Sequence, residues 1–448
     1  MCLLRWQKRI TRNLNEAGVF ASAVSFAARC FDKEFRDASF DLLNVKEVME
    51  RMKQVYSFKK LYGENQVFDK QSLIVEDGKF GDIVKNDPAD NKTVIDYSSY
   101  TIIPGIIDIH NHGIMGYSAT CSSMDELHGY TKGLAGTGVT GVLATTQELD
   151  SMSMVADFIH NEKNNGAEIL GIQAEGPYRA EKYMGASKGF VWERPSLEYT
   201  KRMWDAAKGE LKYMSLSTEL DNLDESIEFL KEKNVVLACG HTDCRYEEMR
   251  QGIAKGIKSA SHFGNSMRPI HQRDAGTWGA LLLDPNVYLE LNADHVHVCK
   301  ETIDIFFRIK SLDRFILISD SSELAGLPKG RYFARGRERN IGADGSVYLD
   351  DGTISGGGKS VLCGIKNLVD IHGLPLETVL NLSSKNPAEL FNIYDHKGSI
   401  KNGKDADFVI IDGDFNVIAT YVGGVKVYDS SNAQPLYNKD MKNLLSVS

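Results

Sequence analysis

The middle of the chain repeats one pattern, in which a short apolar run is followed by a longer segment with apolar residues at helical spacing. Segments 151–162, 221–232 and 246–255 show that spacing clearly. Such alternation over roughly 300 residues predicts an α/β fold, a (β/α)8 TIM barrel. The eight predicted strands are Ile102 to Ile109, Gly141 to Thr145, Ile169 to Ala174, Met214 to Thr218, Val235 to Cys239, Lys258 to Ser261, Val287 to Leu291 and Phe315 to Ser319.

The two ends of the chain have a different pattern, with short apolar runs separated by Gly and Asp turn residues. Examples are Ser72 to Val75 near one end, and Asp407 to Asp412 and Val422 to Tyr428 near the other. These ends predict a small β-sandwich domain built from segments on both sides of the barrel. We expect an N-terminal extension at 1–54, the small β domain at 55–103 plus 396–448, and the barrel at 104–395.

The first segment has a composition of its own. Met1 to Gly18 is basic, and the apolar stretch Val19 to Ala28 follows it. A signal or transit peptide is one interpretation. Because Ser22 and Ser25 break the apolar stretch, a loosely attached helical extension is favoured. A third interpretation is that the ordered protein starts at Met52.

Composition narrows the possible partners. The formal net charge of −9 and a pI of about 5.7 argue against nucleic acid, which needs a basic surface, but not against a small anionic substrate. We find no apolar run of membrane-spanning length, so no membrane partner is expected. The seven cysteines are scattered and form no CxxC pair, which is typical of a reducing compartment and predicts a cytoplasmic protein.

Two histidines end the first barrel strand. His110 and His112 are two residues apart and would point to the same side, at the mouth of the barrel. Two converging imidazoles suit zinc, iron or manganese. A generic pair of this spacing is more often packed or capping a loop, but the position at a strand end before Gly113 favours a metal site.

Other candidate side chains follow the later strands. Glu175 ends the third strand before Gly176-Pro177, and His241 and His262 follow the fifth and sixth. One carboxylate and two imidazoles leave room for water, which is the pattern of a catalytic metal site. Asp320 ends the eighth strand and can act as general base or, alternatively, as a helix cap.

Taken together, these motifs resemble the amidohydrolase superfamily and, within it, the N-acetylglucosamine-6-phosphate deacetylase family. The resemblance extends from about Leu73 to Tyr428. The residues that carry it are Glu175-Gly176-Pro177, Gly240-His241-Thr242, His262 to Met267, Arg273 to Gly276, Asp351 to Gly356, Asn386-Pro387-Ala388, Gly398-Ser399-Ile400 and Gly403 to Asp407.

The resemblance implies a divalent metal, zinc or iron, as one or two ions. Glu175, His241 and His262 would hold the main ion, and His110 and His112 match a pair that binds a second ion in some members. Asp320 would take a proton from the metal-bound water and return it to the departing amine. The substrate would be N-acetylglucosamine-6-phosphate or a related N-acetyl amino sugar phosphate, and the protein a homodimer. Residues at substrate-contacting positions are Ala186, Ser187, Asn265, Ser266, Arg273, His297, Ile354, Ser355 and Gly356.

The sequence also departs from the family. It has Gly185-Ala186-Ser187 where the family reads Gly-Ala-His, and it has His295 where the family favours Gly. The run Arg331 to Arg339 is unusual as well. Two alternatives therefore stay open: another amidohydrolase, such as a cyclic amidase or N-acyl amino acid hydrolase, and a barrel without catalysis that serves in binding. The carboxylate of Glu175, in place of the carboxylated lysine common in the first alternative, favours the sugar deacetylase.

Overall fold

The protein is seen in a computed structural model that describes residues 53–85, 94–163, 165–190, 192–432 and 436–444. The predicted extension, up to residue 52, and the alternative start at Met52 lie outside the described residues. The strands are β1 Lys53–Tyr62, β2 Val67–Asp69, β3 Gln71–Glu76, β4 Lys79–Lys85, β5 Val94–Pro104, β6 Ile106–Asn111, β7 Gly113–Ile114, β8 Tyr117–Ser118, β9 Val139–Thr145, β10 Glu168–Glu175, β11 Leu211–Leu216, β12 Val236–Cys239, β13 Ile257–Ala260, β14 Tyr288–Leu291, β15 Phe315–Leu317, β16 Gly330–Ala334, β17 Arg337–Ile341, β18 Val347–Tyr348, β19 Phe408–Ile411, β20 Val417–Val422 and β21 Val425–Asp429.

The helices mostly separate the strands of the middle segment. They are α1 Met124–Ala135, α2 Leu149–Asn161, α3 Leu197–Ala206, α4 Asp224–Glu232, α5 Tyr246–Lys255, α6 Gly276–Leu283, α7 Lys300–Ile309, α8 Val361–Asp370, α9 Leu376–Ser383 and α10 Lys385–Leu390. Short 3-10 turns lie at Glu181–Tyr183, Gly185–Ser187, Leu312–Arg314 and Ser430–Asn432. Among the helices of the described ranges, none has the length and hydropathy needed to cross a bilayer.

Eight strands of the middle segment form one parallel sheet, in the order β6, β9, β10, β11, β12, β13, β14 and β15. Their order in space is their order along the chain, which is the topology of a TIM-like barrel. The predicted strands are confirmed at these eight places, with ends shifted by a few residues. Apolar side chains of alternate positions, such as Ile107 and Ile109 on β6 and Tyr213 on β11, share one buried core with Ile316 and Ile318.

The first and last strands of this sheet are linked. Asn111 and Ser321 form a parallel bridge, and the amide of Asp320 donates to the carbonyl of His110 at 3.0 Å. Below them, the buried carboxylate of Asp108 accepts from the hydroxyl of Ser319 at 2.5 Å. These bonds bring the end of β6 and the residues after β15 to the same rim.

The predicted strand Ile102 to Ile109 is wrong as a single strand. The chain changes sheets at Gly105, so that β5 ends at Pro104 and β6 begins at Ile106. A Cβ at residue 105 would overlap the side chain of Thr140, so the crossing needs glycine there. Periodicity did not reveal the break because apolar residues continue on both sides of it.

The two ends of the described chain share a second sheet. Its order is β21, β20, β19, β5, β1, β3 and β4, with β2 paired to β1. Aromatic residues fill its core, where the rings of Phe408 and Tyr421 stack with centroids 4.4 Å apart and Tyr56 meets both edge-on. Strands from distant parts of the sequence therefore pair around one hydrophobic cluster.

Candidate active site and metal centre

Glu175 is the centre of a buried group at the carboxyl ends of the strands. It is the last residue of β10, and it is 7% exposed. Its Oε1 lies 2.8 Å from Nε2 of His241, which follows β12, and 2.9 Å from Nε2 of His262, which follows β13. The two Nε2 atoms are 3.3 Å apart. Three strand ends thus bring three ligand-type atoms to one point, as the sequence predicts.

The tautomer of His241 can be deduced from its second nitrogen. Nδ1 lies 2.6 Å from the carbonyl oxygen of Tyr183, which can only accept, so Nδ1 donates. In the neutral ring, Nε2 then presents a lone pair toward the carboxylate of Glu175. Two acceptors at 2.8 Å need a cation between them. A divalent metal meets this requirement without protonating the ring.

A second group lies beside the first. Nε2 of His110 and Nε2 of His112 lie 3.6 Å and 3.4 Å from Oδ1 of Asp320. Nε2 of His112 is also 3.4 Å from Oε2 of Glu175. Nε2 of His110 is buried and has no hydrogen-bond partner among the described residues. These two clusters, His110-His112-Asp320 and Glu175-His241-His262, can each hold a metal ion.

The charges of the group also suit a cation. Burial acts to raise the pKa of Glu175, but the guanidinium of Arg179 and the imidazoles of His241 and His262 hold that pKa well below its ordinary value. Burial acts to lower the pKa of His110, yet Glu290 and Asp320 raise it to about 10. Three buried carboxylates therefore surround the imidazoles, and the excess negative charge favours a bound divalent metal.

Glu290 was missed by the sequence analysis. It lies within β14 and is 0% exposed. Its Oε2 accepts from Nδ1 of His110 at 2.7 Å and from the amide of His262 at 2.8 Å, while its Oε1 accepts from the hydroxyl of Tyr213 at 2.6 Å. Glu290 thus turns Nε2 of His110 toward the site. A carboxylate inside an otherwise apolar strand was the signal available in the sequence.

We expect Glu290→Gln to lower the metal affinity of the His110-His112-Asp320 cluster roughly 10- to 100-fold, since it replaces the ionised acceptor that fixes His110 with a weaker, neutral amide oxygen. Metal titration of chelator-treated protein would measure this. Tyr213→Phe is the matched control, because it removes the bond to the other oxygen of Glu290 and leaves the bond between Glu290 and His110 in place. Equal affinity in wild type and Glu290→Gln would show that His110 is oriented by other contacts.

Three site residues share an uncommon backbone conformation. The φ angles of His241, His262 and Asp320 are 50°, 32° and 47°. Non-glycine residues rarely adopt this left-handed region. Each lies two or three residues after the end of a strand. The chain turns sharply there, and the side chain points into the mouth of the predicted barrel.

Several predicted substrate contacts surround Asp320 and His262. Nε2 of His297 is 3.9 Å from Oδ2 of Asp320, and its Nδ1 is 2.8 Å from Asp294. The amide side chain of Asn265 donates to the carbonyl of His262 at 3.2 Å. The loop with Ile354, Ser355 and Gly356 packs against the residues after β15, because a Cβ at Gly356 would lie 2.9 Å from Cβ of Ser322.

The segment with Ala186 and Ser187 lies on the other side of the mouth. A Cβ at Gly185 would lie 2.9 Å from Oγ of Ser266 and 3.7 Å from Cε1 of His241. Arg273 is not part of either cluster of candidate metal ligands. Its side chain is exposed and makes no hydrogen bond or ion pair with another described residue.

The unusual residues have definite contacts. Nε2 of His295 lies 3.0 Å from Nε2 of His372, and His295 is in neither cluster of candidate metal ligands. The run Arg331 to Arg339 forms the hairpin of β16 and β17, with its turn at Arg335-Gly336. Arg337 donates from this hairpin to the carbonyl of Ala186 at 3.0 Å, so the hairpin reaches the segment beside the site.

Comparison with known proteins agrees with this geometry. Residues 101–427 match the amidohydrolase family. The N-acetylglucosamine-6-phosphate deacetylase of Bacillus subtilis is 31% identical over 384 residues, covering 83% of this chain and 96% of that protein. The enzyme of that name from Vibrio furnissii is 30% identical over 379 residues, covering 83% of this chain and 94% of its own length.

A solved structure shows the same architecture. The crystal structure of N-acetylglucosamine-6-phosphate deacetylase from Pasteurella multocida gives a TM-score of 0.77 at 25% identity, covering 83% of this chain and 98% of that one. With its strand-end histidines and carboxylates, the chain belongs to the amidohydrolase family, a family of hydrolases, and within it to the N-acetylglucosamine-6-phosphate deacetylases.

Proposed function

We propose that this protein hydrolyses the acetamide of N-acetylglucosamine-6-phosphate, or of a closely related N-acetyl amino sugar phosphate, to the amino sugar phosphate and acetate. The observation that carries the proposal is the meeting of Glu175, His241 and His262 at one point, with Asp320 on its flank. The names of the relatives support the substrate class.

Glu175, His241 and His262 would hold one divalent ion, zinc or iron, and His110 and His112 with Asp320 would hold a second if two are bound. The metal, when bound, would polarise the amide carbonyl and acidify the attacking water. Asp320 then accepts the proton of that water and delivers it to the departing amine. His297 lies beside Oδ2 of Asp320 and would contact the substrate on that side.

The remaining predicted contacts complete the pocket. Ser266 and Ala186 approach from one side of the mouth, while Ile354, Ser355 and Gly356 close the side next to Asp320.

We further propose that the eight-stranded parallel sheet is a closed barrel, that the second sheet is a separate small β-sandwich domain, and that the protein is cytoplasmic. The described cysteines support this location, because those at Cys121, Cys239, Cys244, Cys299 and Cys363 are free.

Arg273 would bind the phosphate of the substrate across a homodimer. Its exposed side chain has no partner among the described residues, and its planar guanidinium suits phosphate. We expect Arg273→Ala to raise KM for the phosphorylated substrate roughly tenfold or more, with little change for the unphosphorylated sugar. Arg308→Ala, in the last turn of α7, is a control. Equal changes in KM for the phosphorylated and the unphosphorylated sugar would contradict the binding of phosphate by Arg273.

The direct test is release of acetate from N-acetylglucosamine-6-phosphate, with metal content measured on the same sample. Acetate release that a chelator stops and added zinc or iron restores would support the proposal. Bound metal without acetate release would favour the alternative, another amidohydrolase such as a cyclic amidase or N-acyl amino acid hydrolase. A protein that binds no metal tightly would favour a non-catalytic barrel.

A further inference from the structure

A further pair of histidines lies outside both clusters of candidate metal ligands. His295 is in the loop between β14 and α7, and His372 follows the end of α8. Their Nε2 atoms are 3.0 Å apart, and the planes of the two rings are inclined at 53°. Asp304 of α7 contacts His372 on its other side. The loop, α7 and α8 therefore meet at this pair.

A carboxylate holds the far nitrogen of His372. Nδ1 lies 2.7 Å from Oδ1 of Asp304, and the imidazole is only 2% exposed. An ionised carboxylate only accepts, so Nδ1 donates and Nε2 carries a lone pair in the neutral ring. Histidines that bind metals usually have such a partner, which fixes the tautomer and the orientation of the ring. Nε2 of His372 is therefore oriented as a ligand atom toward His295.

The backbone places His295 opposite that lone pair. Its φ angle is 62°, in the left-handed region that non-glycine residues rarely adopt. Burial and the neighbouring His372 lower the pKa of His295, and the positive charge of Lys359 acts in the same direction. The ring is therefore neutral near neutral pH, and its Nε2 can bind a metal whenever the hydrogen is on Nδ1.

The separation of the two Nε2 atoms suits one shared ion. Nitrogens that lie about 2.0–2.1 Å from a metal are about 2.9 Å apart at right-angled positions and about 3.3 Å apart at tetrahedral ones. The observed 3.0 Å lies near the first value, whereas the same atoms of His241 and His262 are 3.3 Å apart. Right-angled nitrogen ligands are typical of Cu²⁺ and Ni²⁺. A hydrogen bond between the rings would have a similar length.

We propose that His295 and His372 form an additional site for a divalent transition-metal ion, Cu²⁺ or Ni²⁺, with Asp304 as the orienting carboxylate and water as the remaining ligands. Without the ion, Nε2 of His295 donates its hydrogen to Nε2 of His372. With the ion, His295 carries that hydrogen on Nδ1 instead, so neither ring gains or loses a proton. The ion joins the loop after β14 to α7 and α8, and it stabilises the fold without taking part in the proposed reaction.

The test uses the full chain, with the candidate metal centre first filled with zinc and the excess zinc removed. Ni²⁺ alone is then added, while the heat of binding, the retained zinc and the Tm are measured. We expect wild type to bind one further Ni²⁺ per chain and to show a higher Tm. His295→Asn should lose both effects, and asparagine tolerates the left-handed backbone. Asp304→Asn should weaken the binding of Ni²⁺ roughly 10- to 100-fold.

His396→Asn is the matched control. Nδ1 of His396 also lies 2.7 Å from a carboxylate oxygen, that of Asp395, but no second imidazole faces it among the described residues. This variant should bind Ni²⁺ as wild type does. Failure of wild type to bind Ni²⁺ while it retains zinc would overturn the inference. Unchanged affinity in His295→Asn, or in Asp304→Asn if the first variant does not fold, would overturn it too.

The outcome is separate from that of the proposed function. Acetate release should be the same with and without Ni²⁺, because neither His295 nor His372 belongs to the two clusters of candidate metal ligands. A wild type that binds the further Ni²⁺ but releases no acetate would contradict only the proposed function. A wild type that releases acetate but binds no further Ni²⁺ would contradict only the additional site.

Discussion

Asp320→Asn should abolish turnover while the protein keeps the metal bound by Glu175, His241 and His262. Asparagine has nearly the same shape, but it has no ionised oxygen to accept a proton from water. Loss of a general base typically costs 10²- to 10⁴-fold, and here we expect roughly 10³-fold or more in kcat. The fold should tolerate the change, because asparagine adopts the left-handed backbone found at this position.

Single-turnover and steady-state rates, with metal content on the same samples, would measure this effect. Asp304→Asn is the matched control, since the carboxylate of Asp304 is half-exposed and pairs with His372 outside the site. The control should keep full activity. Turnover of Asp320→Asn within tenfold of wild type would show that another group accepts the proton, and His297 would be the next candidate.

Glu175→Gln should remove the metal and also weaken the fold. The amide cannot replace an ionised oxygen between two imidazoles, so we expect metal affinity to fall by more than about a hundredfold, which exceeds the usual loss from an outer contact. The change also leaves the buried guanidinium of Arg179 without its carboxylate. Breaking a buried ion pair in this way costs about 3–5 kcal/mol of the free energy of unfolding.

Metal analysis, acetate release and thermal unfolding would report the three consequences of Glu175→Gln. Glu168→Gln is the control on the same strand, because Glu168 is at the opposite end of β10 and pairs with Lys397 at 2.7 Å. Lys397 retains its ion pair with Asp407, which is 2.8 Å long in the wild type, when Glu168 is replaced. If Glu175→Gln still bound a full complement of metal, the main ion would instead be assigned to His110, His112 and Asp320.

The eight-stranded parallel sheet and the convergence of Glu175, His241 and His262 could be predicted from the sequence for one physical reason. Parallel strands in a barrel all end at one rim, so residues such as His241 and His262 that follow separate apolar runs must converge. This needs only the pattern of each run and its end. The structure places both next to Glu175, although their roles as ligands remain predictions.

Contacts that depend on three-dimensional packing could not be predicted in the same way. Glu290 is hidden inside β14, where nothing in the local pattern says which way the carboxylate points. Ser187 was predicted as a substrate contact and noted as a departure from the family, but the sequence does not show that Arg179 fills the space beside it. Both depend on distances between separate elements, which periodicity does not encode.

The left-handed backbone of His241, His262 and Asp320 has a consequence for the evolution of the protein. Holding a non-glycine residue in that region costs of the order of 1–3 kcal/mol. The chain therefore carries conformational strain at three of its candidate functional positions, and the rest of the barrel must offset it. Glycine at any of the three would relax the backbone while deleting a side chain of the candidate site. Selection for stability alone would then favour glycine at these positions, whereas any function of the three side chains would oppose it.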